Sequence, residues 1–155
     1  MKKNSLLKIT IIEGDDKGKF AEIKAGTCKV ISRIMDEDEN IDENVTYLDR
    51  SKLNVKFHSQ EVKKINQFLS GSKESNDTKE IKNPFRRTSD LILMDNNISR
   101  IHAMIFYSGT NAGIIDMAST NGTYVNGKRV DMIELTNGMK IKLGNTVFEV
   151  EVVDN

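Results

Sequence analysis

Hydrophobic positions along this chain follow two periods, a short one over most of its length and a longer one in a single stretch near the middle. Residues 5–12, SLLKITII, are β-branched and apolar and predict a strand; EGDDKGK, with two glycines and two aspartates, has the composition of a turn. In FAEIKAG, Phe20, Glu22 and Lys24 alternate against Ala21 and Ile23, Gly26-Thr27 turns the chain, and CKVISRI predicts a third strand. The character then changes. Residues 36–44, DEDENIDEN, read as a solvated acidic loop, and VTYL and LNVKF as two short strands. HSQEVKKINQFLSG predicts a helix over about residues 60–70: Ser59 suits the N-cap, Glu61 the first turn and Gly71 the stop, with Val62, Ile65, Phe68 and Leu69 on one apolar face. Residues 70–83 are a polar linker. After Pro84 the short period resumes in DLILMD, HAMIFYS, AGIIDM, TYVNGKRVDMIEL, MKIKLG and TVFEVEVV, and Asn-Gly at 121–122, 126–127 and 137–138 signals hairpins. Many short strands with regular turns predict an all-β antiparallel sandwich. The expected organisation is one domain over residues 1–155, interrupted over 35–88 by an insert of acidic loop, helix and polar linker.

Composition narrows the function. The chain has 155 residues, 37% hydrophobic and 30% charged, with 23 basic and 23 acidic side chains. This balance creates no global field toward nucleic acid or an anionic membrane, so neither is an expected partner and any anion site must be local. The single cysteine, Cys28, excludes an intrachain disulfide and a cysteine-rich metal site and reads as a buried thiol. The acidic run lacks the central glycine and closing glutamate of a Ca²⁺ loop, so neither metal nor cofactor is expected. No apolar run spans a bilayer, and Lys8 interrupts the apolar N-terminal stretch with no cleavage site after it, which argues against a signal peptide. The expected location is the cytoplasm, and the Asn-x-Ser/Thr triplets at Asn44, Asn76, Asn97 and Asn121 are then chance occurrences. The sequence leaves the oligomeric state open.

Candidate chemistry concentrates in DNNISRIHAMIFY and DMASTNGTYVNG. Ser99 and His102 are three residues apart at a strand entry, where alternation points them to opposite faces; that spacing opposes a nucleophile–base pair, and the chain has no nucleophile elbow, phosphate loop or dinucleotide fingerprint. An enzyme is not expected, and His102 reads as a buried imidazole holding a loop through a backbone group. Ser99, Arg100, Ser119, Thr120, Asn121 and Thr123 supply short donors and a cation in two loops at strand ends, a set suited to a doubly charged oxyanion such as a phosphoryl group. Gly122 lets the chain approach closely. Ser, Thr, Asn and Gly are equally plain turn residues, so residue types alone leave both readings open.

The combination resembles the forkhead-associated (FHA) domain family. DLIL at 90–93, SRIH at 99–102, DMASTNGTYVNG at 116–127 and LTNGMKIKLG at 135–144 follow that family's motifs in order, and EGDDKGKFAEIKAGTCKVISRI resembles its first three strands; the likeness covers residues 6–34 and 84–153. It implies an FHA-like (SMAD/FHA) β-sandwich whose loops bind phosphothreonine peptides. By resemblance, Ser99, Arg33, Arg100 and Thr120 contact the phosphate or the peptide, and Asn121 bonds the peptide main chain. His102 braces the loops, and Gly122 and Asn126 support them. Three departures stand out. Ser32-Arg33 replaces the usual Gly-Arg, Met139 replaces an aspartate, and Arg33 lies 57 positions (90 − 33) before Asp90 because the insert falls between them. Arg87, near Asp90 in sequence, is therefore an alternative phosphate ligand. The implied function is a non-catalytic signalling adaptor whose partner is a phosphothreonine-containing protein. The rival expectation is a phospho-independent scaffold that pairs through the sandwich face or the insert.

Overall fold

The computed structural model describes residues 5–33, 47–48 and 85–153. The helix expected over about 60–70, the strand expected at LNVKF, the acidic run and the polar linker lie outside the described residues. Every regular element described is a strand: β1 (Leu6–Glu13), β2 (Phe20–Lys24), β3 (Thr27–Arg33), β4 (Tyr47–Leu48), β5 (Arg86–Arg87), β6 (Asp90–Leu93), β7 (Ala103–Tyr107), β8 (Ala112–Asp116), β9 (Thr123–Val125), β10 (Lys128–Val130), β11 (Met132–Leu135), β12 (Lys140–Leu143) and β13 (Thr146–Val153). They form two sheets, ordered β10-β9-β12-β13-β1-β2 and β11-β8-β7-β3-β6-β4, with β5 beside β3.

The first sheet is solvated on one face, and its strands show it. β2 alternates exposed and buried from Phe20 to Lys24, and β12 buries Ile141 and Leu143 while exposing Lys140 and Lys142. The buried residues, with Leu7, Ile9, Ile11, Phe148 and Val150, pack against Ile31, Leu91, Leu93, Ile105, Tyr107 and Ile114 of the second sheet, forming the main core. The second sheet is buried on both faces. Its central strands β3 and β7 are buried almost residue by residue, and Cys28, Val30, Phe85, Met104, Phe106 and Ile115 make a second cluster. Continuous apolar runs are what a doubly covered strand requires. Gly113 lies directly opposite Phe106, whose ring occupies the place a Cβ would take.

β3 is the spine of the site. It pairs antiparallel with β7 on one side and parallel with β5 and then β6 on the other. Thr27 and Cys28 face Arg86 and Arg87, whereas Ile31, Ser32 and Arg33 face Leu91, Ile92 and Leu93, so the offset grows by one residue between the two short strands. A parallel pair cannot be joined by a tight turn and needs a long crossover, the place where the long connection after β3 falls. The sandwich has resumed by Phe85, which is buried against the second cluster. Ser32 is 1% exposed and keeps its place in the parallel ladder, so the serine does not displace Arg33 from the strand end.

The Asn-Gly signals divide. Asn126-Gly127 makes the two-residue β9–β10 hairpin, with positive φ at both positions (49° and 83°), as a type I′ turn demands. Asn137-Gly138 instead joins β11 in one sheet to β12 in the other, and Asn121-Gly122 ends the loop before β9. TYVNGKRVDMIEL accordingly holds three strands divided between both sheets. Among the described residues no helix is long and apolar enough to cross a membrane.

Candidate functional site

Three connections meet at one end of the sandwich: the end of β3, the loop from β6 to β7, and the loop from β8 to β9. His102 ties them together. It is fully buried; its Nδ1 accepts the Ser99 backbone N–H at 3.0 Å, and its Nε2 lies 2.8 Å from the Gly122 carbonyl oxygen. An Nδ1 that accepts carries no proton, so Nε2 holds it and donates to Gly122. The backbone N–H of His102 donates to the Ile31 carbonyl, and its carbonyl accepts the Met117 N–H, both at 2.9 Å. One residue thus holds β3, the Ser99 loop and the Gly122 loop. Ser99 and His102 do touch, against the expectation from strand alternation, because the ring folds back onto its own loop. The contact uses the backbone of Ser99, not its hydroxyl.

The hydroxyl faces the other way. Ser99 Oγ accepts the Thr120 backbone N–H at 2.9 Å, which leaves its own proton to donate elsewhere. Asn121 spends one amide hydrogen on the Asn97 carbonyl at 2.9 Å. Arg33, at the end of β3, makes a long 3.5 Å contact with the Asn96 carbonyl. Arg33, Ser99 and Asn121 are thereby gathered around the 96–97 turn, with Thr120 and Arg100 exposed beside them.

Two carboxylates that the sequence did not single out build this framework. Asp95 is 8% exposed; its Oδ1 accepts the Asn97 N–H at 2.9 Å, and its Oδ2 accepts the Asn145 N–H at 2.8 Å and the Thr146 hydroxyl at 2.7 Å. It therefore pins the 96–97 turn to the β12–β13 hairpin. Asp116 accepts the Ser119 hydroxyl at 2.5 Å, the Ser119 N–H at 3.1 Å and the Thr123 hydroxyl at 2.7 Å, while Ser119 Oγ accepts the Gly122 N–H at 3.0 Å. Ser119 and Thr123, counted among the candidate anion donors on residue type, are spent inside the loop. Ala118 holds a positive φ of 59° at the tip, a strain that a residue bearing a Cβ adopts only where its surroundings impose it. Asn126 braces from further off: its Oδ1 accepts the Lys140 N–H at 3.0 Å.

Arg87 is elsewhere. It faces Cys28, five residues down β3 from Arg33, or roughly 16 Å along a strand. Its guanidinium forms a bidentate pair with the buried Asp90, at 3.0 and 2.6 Å. The geometry separates it from Ser99 and Asn121 and leaves Arg33 as the strand-end cation. Beside that pair Lys29, 7% exposed, donates to the Ser89 carbonyl at 2.9 Å; burial lowers its pKa below the usual 10.5, partly offset by Asp90. A shallow cleft lined by Asn137, Gly138, Glu149 and Glu151 lies toward the other end of β12, and its glutamates do not suit an anion.

Residues 82–144 match the family model of the FHA domain. Over that stretch the chain is similar to FHA domains. Two relatives align over 56 residues of this chain: the glycogen accumulation regulator GarA of Mycolicibacterium smegmatis, 41% identical over 36% of this chain and 35% of that protein, and the oxoglutarate dehydrogenase inhibitor of Corynebacterium jeikeium, 39% identical over 36% and 39%. The chain thus spans little more than a third of the length of these curated relatives. The sandwich is shared with the FHA domain of an Arabidopsis thaliana hypothetical protein (TM-score 0.60, 20% identity, 99% of this chain and 91% of that one). It is also shared with Mycobacterium tuberculosis EmbR in complex with a low-affinity phosphopeptide (TM-score 0.55, 18% identity, 97% and 25%). The 82–144 match contains the Ser99 and Asn121 loops and not Arg33, which joins them through the parallel β3–β6 ladder.

Proposed function

We propose that this chain is a phosphothreonine-peptide-binding signalling adaptor with no catalytic step of its own, in which Arg33, Ser99, Arg100, Thr120 and Asn121 hold the phosphopeptide. The observation that carries the reading is the Ser99 hydroxyl, whose oxygen is taken by Thr120 N–H and whose proton remains to donate. Around it stand the second amide hydrogen of Asn121 and an Arg33 guanidinium held among the described residues only by one long contact. Preformed donors converging beside a cation suit a phosphate dianion, because charge-assisted bonds to fixed donors cost little reorganisation. The regulator and inhibitor named among the relatives, and the phosphopeptide bound to EmbR, support a role in phosphorylation-dependent signalling. The chemistry asks for no metal or cofactor. The cytoplasm, where kinases supply such marks, is the location we assign.

The test is calorimetric titration with one peptide in phosphothreonine and plain threonine forms. The phosphorylated form binds and the plain form does not. Ser99→Ala and Arg33→Ala each weaken binding about tenfold or more, the loss of one charge-assisted hydrogen bond of about 1.5–3 kcal/mol. Equal affinity for both forms of the peptide makes the domain a phospho-independent scaffold instead.

A further inference from the structure

Arg129 lies on the solvated face of the first sheet, beside the loop that carries Asn121. It stands directly opposite Tyr124, and Tyr124 is directly opposite Lys142 on its other side. Opposed residues of an antiparallel pair share a face, so Arg129, Tyr124 and Lys142 form one row across β10, β9 and β12. Both cations are exposed, while Thr123, Val125, Ile141 and Leu143 turn inward.

The row differs from the lysines at the centre of its face. Lys8 lies opposite Glu22 and Glu151, and Lys140 lies opposite Glu149. Arg129 has only Tyr124 across from it, and Lys142 has Tyr124 and Val147. Among the described residues neither cation has an acidic partner. Arg129 is also positioned by packing: a Cβ on Gly122 would meet its Nε at 2.9 Å, its Cζ at 3.1 Å and the Tyr124 ring at 3.2 Å. The bare glycine backbone and the tyrosine make the seat in which the guanidinium rests, next to Asn121. A guanidinium already seated loses little side-chain freedom when it meets a carboxylate, and its planar fork suits one.

We propose that Arg129 and Lys142, flanking Tyr124, form a second anion contact that takes an acidic side chain of the same peptide, at a position flanking its phosphothreonine. The inference rests on the phosphopeptide reading and adds to it a sequence preference for aspartate or glutamate. The contact is exposed, so it sets specificity and salt dependence more than total affinity.

The test uses the full chain and a set of phosphothreonine peptides with neutral flanks, each carrying one aspartate in turn at the three residues on either side. Wild type prefers one aspartate peptide over the neutral one by about two- to fivefold, the range that exposed ion pairs deliver. In the Arg129→Gln/Lys142→Gln variant, folded by circular dichroism, that ratio falls to about one. A wild type without any such preference, or a preference that survives in the variant, overturns the proposal. If wild type binds the neutral phosphorylated and unphosphorylated peptides alike, the phosphopeptide reading fails first and this inference falls with it.

Discussion

His102 satisfies two buried backbone groups with one neutral ring. Replacing it by alanine strands the Ser99 N–H and the Gly122 carbonyl, at about 1–3 kcal/mol for each unpaired group. His102→Ala is expected to lower unfolding free energy by about 2–4 kcal/mol in urea titration. Gly122 is constrained twice, by its φ of +91° and by the Arg129 side chain over it, so Gly122→Ala destabilises by about 1 kcal/mol or more. Lys29 gives a prediction with pH. Its folded pKa lies below 10.5, so between the folded and unfolded values the unfolded chain holds more protons. The cost of burying the ammonium is fully present below the folded pKa and is relieved as pH rises through it. Wild type therefore gains stability relative to Lys29→Met as pH rises toward 10.5; a difference that stays flat or falls contradicts the buried-ammonium account. At this scale the sequence was legible where a side chain has one role. His102 as a buried brace could be read, and so could Cys28 as a buried thiol. Asp95 and Asp116 could not, because their importance lies in backbone amides and hydroxyls brought to them from hairpins 50 and 7 residues away.

Among elements, the period-two pattern located β2 and β12, where burial alternates with the pleat, and did not separate β9, β10 and β11 within TYVNGKRVDMIEL. It located β3 and β7 by their β-branched and apolar residues instead, because both faces of those strands are covered. Asn-Gly was the weaker guide. The dipeptide favours positive φ, and a hairpin is one of several backbones that need it. Only Asn126-Gly127 has opposed strands on both sides; Gly122 uses its positive φ to present a carbonyl to His102, and Gly138 uses its own in a crossing between sheets. The β8–β9 loop should behave as a unit held by Asp116. Asp116→Ala releases Ser119 and Thr123 together, and its effect on phosphopeptide affinity should exceed that of Ser119→Ala, because Ser119 contributes through the carboxylate it serves. Equal losses from the two variants would count against that hierarchy.

For the whole molecule, the formal charge is zero, so attraction for an anion arises only where cations gather without acids beside them. The parallel β3–β6 pairing accomplishes this by bringing Arg33 beside a strand 57 or more positions further along the chain. In linear sequence Arg87 was an alternative to Arg33 because it lies near Asp90; in the sheet it is bound to Asp90 at the far end of β3. Sequence distance is a poor guide to a site built across a crossover, and the motifs became informative only through the family they resemble. The most direct test of this account is a ¹⁵N NMR titration of the full chain with a phosphothreonine peptide and its unphosphorylated twin. The account predicts shifts at Arg33, Ser99, Arg100 and Asn121 with the phosphorylated peptide alone, and none at Arg87. Shifts of the same size with both peptides, or shifts centred on Arg87 while Arg33 and Ser99 stay still, would contradict it.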